Sequence, residues 1–188
     1  MMNDRISDGD LLERARGGDH AAFRTLIERY EHAVAATVIG MLGPGAEAED
    51  VGQETFIRFY AALNRFREEA SLKTYLTRIA INLSLNALKR RRRFLSRYVE
   101  GDLADTVGVE SGAGPADRVE SQEVRETVRS AIDRLAPKQK AVVTLRLIDG
   151  YSTRETAEIL GVPEGTVLSR LSRALKRLQP HLQPLMET

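Results

Sequence analysis

The 188-residue sequence predicts an all-α protein of two small helical domains joined by a flexible linker, the C-terminal one containing a helix-turn-helix. Three observations carry this expectation. Apolar residues recur at helical spacing along nearly the whole chain, and no segment alternates with a period of two. Residues 100–118 lose that periodicity and turn rich in Gly, Ser and acid, the composition of a tether. Towards the C-terminus a capping motif, a glycine turn and an amphipathic stretch follow one another. The expected units are therefore 1–99, the linker 100–118 and 119–188.

In chain order, Asp19 reads as the N-cap of a long helix carrying Phe23, Leu26, Ile27, Tyr30, Val34 and Val38, and Gly43-Pro44-Gly45 ends it. A second helix starts near Ala46 and carries Val51, Phe56, Phe59 and Tyr60. The third follows Ser71, another N-cap candidate, through Tyr75, Leu76, Ile79, Ile81, Leu83, Leu85 and Leu88 into Lys89-Arg90-Arg91-Arg92-Arg93. These helices are expected to share one core that buries Phe23, Phe56, Phe59 and Tyr60. After the linker the period resumes at Val119, Val124, Val128, Ile132 and Leu135, breaks at Pro137, and continues through Val142, Val143, Leu145 and Leu147 to Gly150.

Ser152-Thr-Arg-Glu155 places a glutamate three residues after a serine, a capping box opening a short helix to Leu160. Gly161-Val162-Pro163 turns the chain, and Pro163 suits the first turn of the next helix, where a missing N–H is no loss. In that helix Val167, Leu171, Ala174, Leu175 and Leu178 form the stripe expected to be buried, leaving Ser169, Arg170, Arg173 and Arg177 outward. A short helix, a tight turn and a longer helix with a basic outer face make a helix-turn-helix, whose second helix enters the major groove.

Composition closes several other routes. Without Cys there is no disulfide, thiolate zinc site or cysteine nucleophile. His20, His32 and His181 do not stand at metal-ligand spacing, and there is no Gly-rich phosphate loop, so no cofactor and no enzymatic activity are expected. The most apolar stretch, Ala33 to Leu42, is far shorter than the roughly 18 residues a membrane span needs. With no signal peptide at the N-terminus, a soluble cytoplasmic protein without membrane insertion is expected.

The formal net charge of +1 hides a strong segregation. Residues 1–57 hold 5 basic and 11 acidic side chains (−6), residues 58–95 hold 10 and 2 (+8), residues 96–120 hold 2 and 6 (−4), and residues 121–188 hold 11 and 8 (+3). The two basic segments can thus meet phosphate, and the acidic N-terminal one offers a surface for other contacts. The five cations Lys89 to Arg93 are placed to neutralise phosphates, although a helix C-terminus also favours cations through its dipole. Upstream, Phe66 and Tyr75 lie among Arg65, Arg67, Lys73, Arg78 and Asn82, a mixture of rings and cations suited to single-stranded nucleic acid.

Ala48-Glu-Asp-Val-Gly-Gln-Glu-Thr-Phe56, then Phe66-Arg-Glu-Glu-Ala-Ser-Leu-Lys-Thr-Tyr-Leu-Thr-Arg-Ile-Ala-Ile-Asn82, then Gly150-Tyr-Ser-Thr-Arg-Glu-Thr-Ala-Glu-Ile-Leu-Gly-Val-Pro-Glu-Gly-Thr-Val-Leu-Ser-Arg170 together resemble an extracytoplasmic-function sigma factor of bacterial RNA polymerase. The resemblance covers nearly the whole chain in the family's order. It implies that Asp50, Gln53 and Glu54 face the clamp helices of core RNA polymerase. It also implies that Phe66, Arg67 and the loop to Ala70, with Lys73, Tyr75, Arg78 and Asn82, engage the proximal element of promoter DNA and capture a flipped base. Unstacking that base costs roughly a few kcal/mol, which a selective pocket turns into specificity. Lys89, Arg90, Arg91, Arg92 and Arg93 would contact phosphates. Thr166, Leu168, Ser169, Arg170 and Arg173 would read the distal element. An anti-sigma factor is implied as a further partner. Tyr75 stands where the family often has Trp, Gly52 where an apolar helix former is commoner, Asn86 where Asp is frequent, and Leu168 where Arg is frequent.

The linker of 19 residues reaches about 65 Å extended but only about 24 Å as a coil, while two promoter elements nearly two helical turns apart are separated by roughly 60–70 Å. Core polymerase is therefore expected to hold the domains apart, and the isolated chain to bind a promoter weakly. The alternative, a helix-turn-helix regulator with a sensing or dimerising N-terminal domain, accounts for residues 121–188 but gives the Asp50–Glu54 segment no role.

Overall fold

The computed structural model describes residues 6–67, 70–98 and 117–183. Among them every regular element is helical. Most of the expected linker lies outside the described residues; its last two, Asp117 and Arg118, already belong to a helix.

The chain opens with α1 (Asp8–Arg16), which the sequence reading did not anticipate. Ser7 caps it by accepting the Asp10 N–H at 3.1 Å, and Leu11, Leu12 and Ala15 are buried against α2. Helix α2 (His20–Leu42) starts as expected at Asp19, whose carboxylate accepts the N–H groups of Ala21 and Ala22. The Ala22 amide, with Arg14 next in weight, holds the Asp19 carboxyl below its usual range. Gly43 and Gly45 then adopt φ of 80° and 131°, which L side chains rarely do, and turn the chain into α3 (Ala46–Ala62). A 3-10 turn at Leu63–Arg65 leads towards α4 (Leu72–Tyr98), where Ser71 accepts the Thr74 N–H at 3.1 Å.

Helices α1 to α4 close on Leu26, Val38, Met41, Phe59, Leu76 and Ile81, all essentially fully buried. The aromatic content of this core differs from expectation in two places. Tyr60 is 47% exposed, because it sits one position beyond the buried Phe59 on the outer side of α3. Phe66, expected to offer a stacking surface, is buried at 7%, its ring 6.1 Å from Phe59 and 4.7 Å from Tyr75.

The C-terminal half consists of α5 (Asp117–Asp133), α6 (Pro137–Val143), a π-helical turn (Thr144–Ile148), α7 (Thr153–Leu160) and α8 (Glu164–Leu182). Its own cores are small: Ala131, Leu135, Val143, Ala174 and Leu178 in one, and Val142, Ala157 and Val167 in the other. Leu175, expected in the buried stripe, is 46% exposed. The stripe follows Val167, Leu171, Ala174 and Leu178, and Leu175 lies about 100° around the helix from Ala174. Pro163 stands at the N-cap of α8, one residue earlier than expected.

The two halves share a further core. Ala141, Leu145, Tyr151 and Ile159 are buried with the N-terminal apolar residues, so α6, the π-helical turn and α7 dock on α2 and α4. Thr37 donates to the Asp149 carboxylate at 2.7 Å, and the Thr77 and Tyr151 hydroxyls meet at 2.8 Å. Gly40 permits this approach: a Cβ there would come within 2.7 Å of the Thr144 methyl.

Candidate nucleic-acid interface

Helix α7 is built as the sequence requires. Ser152 Oγ accepts the Glu155 N–H at 3.2 Å, and the Glu155 carboxylate accepts the Ser152 N–H at 2.8 Å. The Ser152 hydroxyl, then its amide, lowers the Glu155 carboxyl below its ordinary value. Gly161 closes α7 in the left-handed region at φ 62°, and Val162 N–H reaches back to the Ala157 carbonyl at 3.1 Å. Val167, fully buried against Val142 and Ala157, fixes the roll of α8. Leu168, Ser169 and Arg173 are left exposed, with Thr166 and Arg170 half-buried. Arg173 lies folded along its own helix: Nε donates to the Ser169 carbonyl at 3.1 Å and Nη2 to Ser169 Oγ at 3.2 Å.

Helix α4 carries the second face. Tyr75, Arg78, Asn82, Lys89 and Arg93 are spaced three, seven, fourteen and eighteen residues from Tyr75, which puts all five on one stripe of a 3.6-residue helix. Tyr75 is half-buried in the aromatic core, while Asn82, Lys89 and Arg93 are exposed. The stripe's upper part is engaged: Arg78 Nη2 donates to the Glu158 carbonyl of α7 at 2.7 Å. On another face, Lys73 Nζ lies 5.1 Å from the centre of the Tyr151 ring. Of the five consecutive cations, Arg91 pairs with Glu47 of α3 at 2.7 Å, and the other four make no salt bridge among the described residues.

Arg67 is exposed, and Glu68 and Glu69 of the expected base-capturing loop lie outside the described residues. The sequence reading missed what holds the start of this loop. Arg16 of α1 donates from Nε to the Leu63 carbonyl at 3.2 Å and from Nη2 to the Phe66 carbonyl at 2.6 Å. Nothing local in the sequence announces that pairing across about fifty residues. Asp50 and Gln53 are exposed on α3, and Glu54 pairs with Arg58 at 2.8 Å.

Where the halves meet, burial pushes both ionisable groups up. The Asp149 carboxyl is raised despite its bond from Thr37 and the nearby Lys73, and the Tyr151 hydroxyl is raised despite its bond to Thr77.

A helical chain with one basic face on a helix-turn-helix and another on a long preceding helix has the make-up of a sigma-70-type promoter-recognition subunit. Family comparison agrees region by region: the model for Sigma-70 region 2 matches residues 26–94 and that for Sigma-70 region 4 matches residues 125–178. The ECF RNA polymerase sigma-E factors of Salmonella typhimurium and of Escherichia coli K12 are each 37% identical over 98% of this chain and 99% of theirs. The RNA polymerase sigma-H factor of Pseudomonas aeruginosa is 35% identical over 95% of both chains. Two solved structures are similar at 26% identity: CnrH in complex with the cytosolic domain of CnrY, with a TM-score of 0.65 over 94% of this chain and 97% of that one, and the Bartonella quintana sigma factor RpoE with the anti-sigma factor NepR, with a TM-score of 0.66 over 86% and 96%. The chain belongs to the extracytoplasmic-function sigma factors. It directs RNA polymerase to promoters, a regulatory role, and the alternative of a regulator with a sensing N-terminal domain is not favoured, since region 2 fills that part of the chain.

Proposed function

We propose that this sigma factor reads two-element promoters with the residues assembled above, its region 2 unit spanning 1–99 and its region 4 unit 119–188. Asp50, Gln53 and Glu54 meet core polymerase. Arg67, Lys73, Tyr75, Arg78 and Asn82 engage the proximal element and aid its melting, with Phe66 supporting the loop from within the core. Lys89, Arg90, Arg92 and Arg93 neutralise phosphates, and Arg91 joins them when it leaves Glu47. Thr166, Leu168, Ser169, Arg170 and Arg173 read the distal element, where one bidentate arginine–guanine contact discriminates by about 1–3 kcal/mol. Because promoters lie on the chromosome, a chain with this role acts in the cytoplasm, and the anti-sigma complex of the similar Bartonella sigma factor supports an inhibitor of the same kind here.

The observation that carries this reading is the single stripe on α4 that runs from Tyr75, at the edge of the aromatic core, through Asn82 to the exposed cations Lys89 and Arg93. In the docked chain, Arg78 is bound to α7. A free chain therefore presents an incomplete proximal site, and polymerase completes it by drawing the halves apart.

Reconstitution with bacterial core polymerase on a promoter library tests the proposal. Specific run-off transcripts from shared two-element promoters are expected, and Asn82→Ala should slow opening about tenfold while leaving duplex binding intact. Start-site selection unaltered by adding the chain would overturn it.

A further inference from the structure

An apolar groove of about 380 Å³ runs between α2 and α3, away from the seam between the two halves. Ile27, Val34, Ala48 and Phe56 wall it, and Glu31, Glu49 and Gln53 form its margin. Gly52 also lines it, from the interior of α3. Neither backbone nor packing calls for glycine there. The residue has an ordinary helical φ, and a Cβ built on it meets nothing within 4 Å. Glycine inside a helix is less stable than alanine, so the free protein gains nothing from the missing side chain. The surrounding acids have no internal use either: Glu31, Glu49 and Asp50 form no ion pair among the described residues. Gln53 belongs both to the margin and to the Asp50–Glu54 face, so groove and face are one surface.

We infer that Gly52 determines the fit of this sigma factor to core polymerase, by keeping the groove deep enough to take an apolar side chain from a helix of the core enzyme whose flanking basic residues meet Glu31, Glu49 and Asp50. The inference rests on reading Asp50, Gln53 and Glu54 as the polymerase face. A position that weakens the free fold while opening a pocket on a charged surface is the pattern of a residue set by its partner.

The test compares full-length Gly52→Ala, Gly52→Leu and Asp50→Lys with the parent in competition for core polymerase, alongside melting curves and duplex binding of the distal element. Gly52→Ala should raise Tm by roughly 2–4 °C yet bind polymerase more weakly. Gly52→Leu, which fills more of the groove, should lose about tenfold in affinity, and distal-element binding should not change in either. If Gly52→Leu binds polymerase as tightly as the parent while Asp50→Lys does not, the groove is unused and this inference fails, although the polymerase face stands. If all three bind like the parent, the face is misassigned as well. Should the parent self-associate, and Gly52→Leu abolish that while keeping polymerase affinity, the occupant is a second copy of the chain and the inference is likewise overturned.

Discussion

The two helices proposed to face DNA are not equally available. Helix α8 leaves three of its five proposed reading residues, Leu168, Ser169 and Arg173, exposed to solvent, with Arg173 bonded along its own helix. Helix α4 has the larger charge, but Arg78 is spent on a carbonyl of α7 and Lys73 rests over Tyr151. On the proposed reading, the difference means that docking of the halves occupies part of the proximal face and leaves the distal one open. The free chain is therefore expected, on that reading, to touch distal duplex more readily than it engages a proximal strand.

Breaking the docking should have the largest effect. Gly40→Val drives side-chain carbon into Thr144, since even a Cβ comes to 2.7 Å of its methyl, and should separate the halves. Small-angle scattering of the isolated variant is expected to show an expanded particle, and binding of a proximal-element single strand should rise about tenfold, because apparent affinity scales with the competent fraction. An unchanged scattering profile would contradict the role given to Gly40.

Arg173→Ala sharpens the comparison from the other side. It should weaken the distal element by about 1–3 kcal/mol in duplex binding, with little change in proximal opening once polymerase is bound. Equal loss at both elements would mean that α8 does not read selectively.

The smallest effect concerns acidity. Burial raises the Asp149 carboxyl above its unfolded value, so the stability it contributes is full below the ordinary carboxylate range and is lost as pH rises through the raised value. Closed packing should therefore tighten as pH falls from neutral towards 4, with Thr37 and Lys73 limiting the effect by stabilising the charged form. Asp149→Asn keeps an acceptor for Thr37 but cannot ionise. Its melting temperature should exceed the parent's near neutrality and depend less on pH in differential scanning calorimetry, and a parallel slope for both proteins would dismiss Asp149 as the source.

Local signals in the sequence carried what depends on neighbours in the chain. Asp19, Ser71 and the Ser152–Glu155 box cap helices where their types and spacing indicate, and the stripe of α8 sets its outward face. Contacts between distant segments carried no such mark. Phe66 stands among cations in the sequence but is buried, because Phe59 and Tyr75, brought in by two other helices, complete an aromatic pocket around it. Tyr60 and Leu175 have the right chemistry for a core but lie a residue off the buried stripe, an angular error that composition alone does not reveal. Helix α1 is short, so its signals, the Ser7 cap, Asp8 and Asp10 in the first turn, Arg14 and Arg16 in the last and the Leu11, Leu12, Ala15 stripe, extend over barely two turns. The docking of the halves was the least legible, resting on Gly40, Thr37 and Thr77, whose meaning appears only opposite Thr144, Asp149 and Tyr151.

The folded-back guanidinium of Arg173 has a kinetic corollary. A protein sliding over unrelated sequence is held by phosphates, and with this side chain stowed against Ser169 it drags few base-edge contacts along. If Arg173 reads the distal element as proposed, it reaches a base edge by giving up its two exposed bonds to Ser169, an exchange of picoseconds to nanoseconds, so the arginine samples each sequence far faster than the protein moves along the duplex.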